Sequence, residues 1–174
     1  MQVSIPDPSL VVLIGASGSG KSSLAQRHFR PTEVVSSDLC RAMVGDDERA
    51  LDADADAFAV VHLIARTRLG RGLMTAVDAT NLHGESRRSL LALARDHHCA
   101  AVAVVLDLPE ALCQERNRSR GDRGVLAHVI RLQLRLLRRA IAELDAEGFD
   151  QVVVLSSPGE VDALALERRG WDAG

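Results

Sequence analysis

Eight residues near the N-terminus leave this chain few folds to choose from. Residues 15 to 22 read Gly15-Ala16-Ser17-Gly18-Ser19-Gly20-Lys21-Ser22: a glycine, four residues, then Gly-Lys-Ser. The apolar run Leu10-Val11-Val12-Leu13-Ile14 comes directly before, and a helical pattern from Ser22 to Phe29 directly after. In a strand, glycine turn and helix of that order, backbone N–H groups wrap inward on anionic oxygens and the helix adds its positive end. Lys21 would bring a mobile charge to the terminal phosphates, and Ser22 a hydroxyl for a hydrated magnesium ion. A glycine–serine turn of chance composition needs neither the strand before nor the helix after. The pattern predicts a site for a nucleoside triphosphate, with Gly15, Ala16, Ser17, Gly18, Ser19, Gly20, Lys21, Ser22 and Ser23 as its candidate ligands.

Such a loop belongs in an alternating α/β fold, and the rest of the sequence supplies one. Strands are expected at 10–14, 34–36, 73–78, 101–107 and 151–155. Helices are expected at about 21–29, 54–69, 84–97, 109–119, 125–147 and 159–169. Pro109 and Pro158 stand where helices open, and Gly148 where the longest one stops. This alternation predicts a parallel sheet with helices on both faces, and ligands gathered outside the C-terminal ends of the strands. A length of 174 residues suits a single domain over residues 1–174.

Composition excludes more than it assigns. No apolar run reaches the length of a membrane span, and the N-terminus has neither a basic region nor a signal-like core. With three unpatterned cysteines, Cys40, Cys99 and Cys113, a cytoplasmic chain with reduced thiols is expected. The net charge of −3 means that any grip on nucleic acid must be local. Aromatic residues make up 2% of the chain, without a tyrosine, so an extended base-stacking platform is excluded. His97-His98-Cys99 lacks partners at zinc-ligand spacing, and His28, His62, His83 and His128 are isolated. The aspartates between Asp46 and Asp56 do not form a calcium loop, because Ala57 stands where glycine is required and Leu63 where glutamate is. They read as a solvated loop running into the next helix.

Carboxylates at strand ends are the candidate chemistry. Asp38 follows Val34-Val35-Ser36-Ser37 and should share a sheet edge with the glycine loop. There it could take the proton of an attacking hydroxyl, or serve only as the N-cap of a helix over Leu39–Val44; position alone leaves both open. Arg41 would share its helical face, steering Asp38 or binding an acceptor phosphate. Asp78 ends the strand expected beside the first and is the candidate to orient a metal ion and its water next to Ser22. Thr80 and Asn81 read equally as caps or substrate contacts, and Asp107 as a cap for the helix that Pro109 opens. Arg116, Arg118, Arg120 and Arg123 fall within eight residues, with Gly121 between. Arg116 and Arg120 lie one turn apart on one face, so the segment predicts an arginine-bearing lid, about 110–147, over a polyphosphate. Arg131, Arg135, Arg138 and Arg139 read first as a solvated helix face, and second as a guide for an anionic polymer.

Four stretches together carry a resemblance: the glycine loop, Pro31-Thr32-Glu33-Val34-Val35-Ser36-Ser37-Asp38-Leu39-Cys40-Arg41, Val77-Asp78-Ala79-Thr80-Asn81, and Cys113-Gln114-Glu115-Arg116-Asn117. They resemble the N-terminal kinase domain of bacterial polynucleotide kinase-phosphatase, an RNA end-healing and sealing enzyme of the P-loop phosphotransferase superfamily. The resemblance implies a P-loop NTPase-type sheet of five strands ordered 2-3-1-4-5. It also implies transfer of the γ-phosphate of ATP or another NTP to a 5′-hydroxyl polynucleotide end, RNA favoured and DNA allowed, with Mg2+ or Mn2+. On the matching positions, Asp38 resembles the general base and Arg41 its partner on the acceptor. Lys21 and Ser22 resemble the phosphate and metal ligands, and Arg116, Arg120 and Arg123 the lid arginines over the donor. The phosphatase and ligase modules that the resemblance implies lie outside these residues, which leaves a dissected domain or a free-standing kinase. A small-molecule kinase with an alcohol, sugar or antibiotic acceptor is the alternative, and a non-catalytic nucleotide switch the third reading.

Overall fold

A computed structural model describes residues 1–121 and 124–170. Its centre is β2 (Ser9–Gly15), every residue of which is buried. A strand made of Leu10 to Ile14 can be apolar on both faces only if helices cover both, and it therefore sits mid-sheet. β5 (Ala100–Leu106), equally buried, pairs along its whole length with β2. β3 (Val34–Ser36), β4 (Thr75–Asp78) and β6 (Gln151–Leu155) complete a parallel sheet in the order β3-β4-β2-β5-β6. Counted over the five expected strands, this is the order 2-3-1-4-5.

The register fixes what meets at the C-terminal edge. Asp78 is level with Leu13 on one side and Ser36 on the other, and Gly15 is level with Leu106. Helices α1 (Lys21–His28), α2 (Ser37–Gly45), α3 (Asp54–Leu69), α4 (Gly84–Asp96), α5 (Glu110–Arg118) and α6 (Ala127–Glu147) fill the crossovers. Gly148, at φ 98°, ends α6 in the left-handed conformation that its missing Cβ permits. No described helix is long and apolar enough to cross a membrane.

The C-terminal segment departs from expectation. The helix expected over 159–169 stops early: α7 spans Pro158–Ala163, and Ala165–Gly170 form a strand, β7. That strand pairs in parallel with β1 (Gln2–Asp7), a second small sheet which local pattern did not signal. Its anchor is Arg168, whose guanidinium donates to both carboxylate oxygens of Glu33 at 2.8 and 2.6 Å. That pairing, ahead of the opposing effect of burial, holds the Glu33 carboxyl below the usual carboxylate range. A helix there would leave the edge of β1 unpaired and the buried Glu33 carboxylate without its guanidinium.

Candidate functional site

The glycine loop takes its shape from backbone that only glycine accepts. Gly18 and Gly20 have φ of 79° and 98°. A Cβ on Gly18 would collide with the carbonyl oxygen of Cys113, so the loop is pressed against the backbone of α5. Ser17 N donates to Gln133 Oε1 at 2.8 Å, which ties the loop to α6 as well. The Ser19 hydroxyl is buried and has no hydrogen-bond partner, an unusual state for such a group.

Lys21 opens α1 and donates from Nζ to Ala16 O at 2.9 Å. Burial pulls its pKa from 10.5 to about 8; Asp78 opposes this, Arg120 adds to it, and Asp38 and Cys113 push weakly back. Asp78 lies beside it at the end of β4, 7% exposed. Burial raises its carboxyl above the ordinary range, while a hydrogen bond with the Ser22 hydroxyl and the charge of Lys21 hold the rise back. A hydroxyl and a carboxylate side by side are hard oxygen donors of the kind magnesium takes, so Ser22 and Asp78 fit a hydrated divalent cation. Among the described residues no cluster of three or more histidines, cysteines or acids forms a metal site made by protein alone.

Two residues that local pattern left ambiguous or unnoticed hold this edge together. Asn81 neither caps a helix nor faces solvent: at φ 49° its side-chain nitrogen donates to Leu13 O at 2.7 Å. With Gly15 N donating to Thr80 O at 3.1 Å, it staples the end of β4 to the mouth of the glycine loop. Arg87 on α4 is fully buried. It bonds Asn81 O and Leu82 O at 3.0 and 2.8 Å and Glu147 of α6 at 2.8 and 2.5 Å. An arginine in a helical pattern reads as surface, and only its distant acidic partner marks it otherwise.

Asp38 is not an N-cap. Ser36 caps α2, its Oγ accepting from Leu39 N at 3.3 Å, and Asp38 falls in the first turn with its side chain 59% exposed. Arg41 Nη1 donates to Asp38 Oδ1 at 2.8 Å and to Glu48 O at 2.8 Å, while its Nε donates to Asp54 Oδ1 at 2.6 Å. The acidic segment is thus more than a solvated loop, since Asp54 at the start of α3 anchors Arg41. Asp107 does not cap α5 either; Pro109 stands at the N-cap, without a side-chain bond.

Of the arginines expected in a lid, Arg116 Nη1 reaches Ser19 O at 3.4 Å. Arg120 is close enough to act on the charges of both Lys21 and Asp78. Arg123 lies outside the described residues. Arg131, Arg135 and Arg138 line a groove of about 420 Å³ along α6 together with Glu110 and His128.

A parallel sheet, a glycine loop with its buried lysine and a strand-end aspartate bonded to the loop serine define a P-loop nucleotide-binding domain of the kinase type. The chain belongs to the AAA domain family, whose pattern it matches over residues 10–144. Among solved structures it is similar to a chain of the Pnkp1/Rnl/Hen1 RNA repair complex, at 25% identity and a TM-score of 0.63, over 80% of this chain and 47% of that one. It thus spans about half the length of that relative. A gluconokinase from Sinorhizobium meliloti matches at 19% identity, TM-score 0.57, over 87% of this chain and 84% of the other. Chaetomium thermophilum Kti12 in complex with ADP-AlF3 matches at 14%, TM-score 0.62, over 88% and 93%. No curated protein matches the sequence.

Proposed function

We propose that this chain is a polynucleotide 5′-hydroxyl kinase, in which Asp38 is the general base and the glycine loop, Lys21 and the arginines after α5 hold the donor. The carrying observation is the pair Asp38–Arg41, joined at 2.8 Å and near enough to Lys21 for the Asp38 charge to act on the buried amine. Donor and acceptor groups thus share one field at one sheet edge. The 25% likeness to a chain of an RNA repair complex supports a 5′-hydroxyl end as the acceptor.

The acceptor oxygen attacks the γ-phosphorus of ATP in line with the departing ADP oxygen, and its proton passes to an Asp38 carboxylate oxygen. In a loose transition state that proton leaves late, so an exposed aspartate is basic enough. Arg41 keeps the carboxylate aimed. Lys21, drawn from Ala16 O to the phosphates, and Arg116 and Arg120 meet the charge that grows on the transferring group. A divalent cation at Ser22 and Asp78 would supply further charge neutralisation between the donor phosphates.

One observation favours a small-molecule acceptor instead. Arg41 spends Nε and Nη1 on Asp54, Glu48 and Asp38, which leaves Nη2 for an acceptor phosphate. The test is transfer of labelled γ-phosphate from ATP with magnesium to a short RNA with a 5′-hydroxyl. A 5′-phosphorylated RNA, free nucleosides, gluconate and the Asp38→Asn variant run beside it. Label on the 5′-hydroxyl strand alone, lost in Asp38→Asn, is the expected result; label on gluconate or nucleosides and none on RNA overturns the polynucleotide reading.

A further inference from the structure

We infer that Asn117 is a positioning residue for the donor phosphates, a two-point clamp that holds Arg116 and Arg120 over the glycine loop before nucleotide arrives. The inference rests on the donor-site reading above. Although it sits among arginines, Asn117 is 6% exposed. Its side-chain nitrogen donates to Val125 O at 2.7 Å, and its side-chain oxygen accepts from Val125 N at 2.9 Å. Both halves of the amide are spent on one residue's backbone, as a neighbouring strand would spend them.

Its main chain is engaged on both sides as well. Asn117 O accepts from Arg120 N at 3.1 Å, and a Cβ on Gly124 would come within 2.8 Å of that same oxygen. Upstream, Asn117 N would lie 3.3 Å from a Cβ on Gly18, and Arg116 Nη1 3.3 Å from one on Gly20. One asparagine therefore bonds across the arginine-bearing bend while its own helical turn rests on the glycines that wrap phosphate.

The clamp answers an electrostatic difficulty. Without phosphate, Arg116 reaches the loop at Ser19 O and Arg120 acts on the charge of the Lys21 ammonium, so like charge drives a short helix end away from the loop. Two bonds to Val125 oppose that drift, so the ordering cost is met on folding rather than on binding, and affinity for a triphosphate rises. Monophosphate and nucleoside, which carry no β- or γ-phosphate for the arginines, gain little.

Calorimetric binding of ATP and of AMP to the full chain, without acceptor, tests this. Asn117→Ala is expected to weaken ATP about tenfold and AMP less than about twofold. In a chain carrying Arg116→Ala and Arg120→Ala, adding Asn117→Ala should change ATP affinity less than about twofold, because the clamp acts through those arginines. Wild-type ATP affinity in Asn117→Ala, equal losses in both backgrounds, or an equal loss for AMP each overturns the inference. If Asn117→Ala does not fold, Gly124→Ala presses on the same carbonyl and must show the same selective loss; its absence is equally fatal. Wild-type protein that binds ATP yet phosphorylates no polynucleotide removes the acceptor reading and leaves the clamp standing. Wild-type protein that binds no ATP removes the donor site and the clamp together.

Discussion

On the proposed donor side the polar groups are buried at the sheet edge: Lys21, Asp78 and Asn81 are 8%, 7% and 2% exposed, and each is bonded to the glycine loop or to a neighbouring strand end. On the proposed acceptor side Asp38 stands in solvent, and its neighbours Leu39 and Met43 on α2 are 61% and 68% exposed. The first region is made by backbone, with glycines at positive φ, strand register and buried amides. The second is made by side chains on one short helix and on the acidic segment after it. A backbone-built site can change little without unfolding, whereas a side-chain site is free to change what it binds.

The contrast breaks most visibly at Lys21. Lys21→Met should lower kcat/KM by about 10^3-fold by removing a charge aimed at the transferring phosphate. The variant also tests burial. Since the folded-state pKa is lowered to about 8 from 10.5, the folded chain gives up that proton before the unfolded chain does. Wild-type stability should therefore gain on Lys21→Met as pH climbs from about 8 to 10.5. Melting temperatures of both across that range read it, and a constant difference would mean that the amine is solvated. In the same sense, kcat/KM for ATP should fall as pH rises through about 8.

Next in size is Asp38→Asn, expected to cut kcat by about 10^2-fold with the KM for ATP within about twofold, because the proposed base belongs to the open side alone. Steady-state kinetics with both substrates varied separate the two constants. A comparable rise in the ATP constant would show the two regions to be one. Asp54→Ala comes third: freed at Nε, Arg41 loses its aim, and the KM for acceptor should rise about tenfold while ATP is bound as before. Smallest is Leu39→Ser, which should alter unfolding free energy by less than about 0.5 kcal/mol in a denaturant titration, since its side chain packs on little. A loss of 2 kcal/mol or more would place Leu39 in a core that its exposure denies.

The same division explains what could be read from sequence. The glycine loop, the five strands, the helix start at Pro158 and the helix stop at Gly148 are local patterns, and each stands where its residues put it. The pairing of β1 with β7 joins Gln2 to Ala165 across nearly the whole chain, and no local window carries such a bond. Arg87 with Glu147 and Asn117 with Val125 escaped notice for a related reason. Polar side chains in helical runs look like surface until the partner that buries them is known. Asp38 was legible by place, but its exclusion from the N-cap needed Ser36 to be seen in that role. The reach of Asp54 to Arg41 needed the turn at Leu51–Ala53 to bring α3 back beside α2.

The β1–β7 ribbon has a mechanical consequence. Because the two strands run parallel and pair from Gln2↔Ala165 through Asp7↔Gly170, a pull on residue 1 in one direction and on residue 170 in the other slides them past each other. All the pairs then carry load together, as in a lap joint, instead of opening one after another like a zipper. Arg168 passes part of that load to Glu33, the residue just before the strand that leads to Asp38. Tension from anything fused to either end would be borne by this joint, and the glycine loop at the centre of the sheet would stay slack.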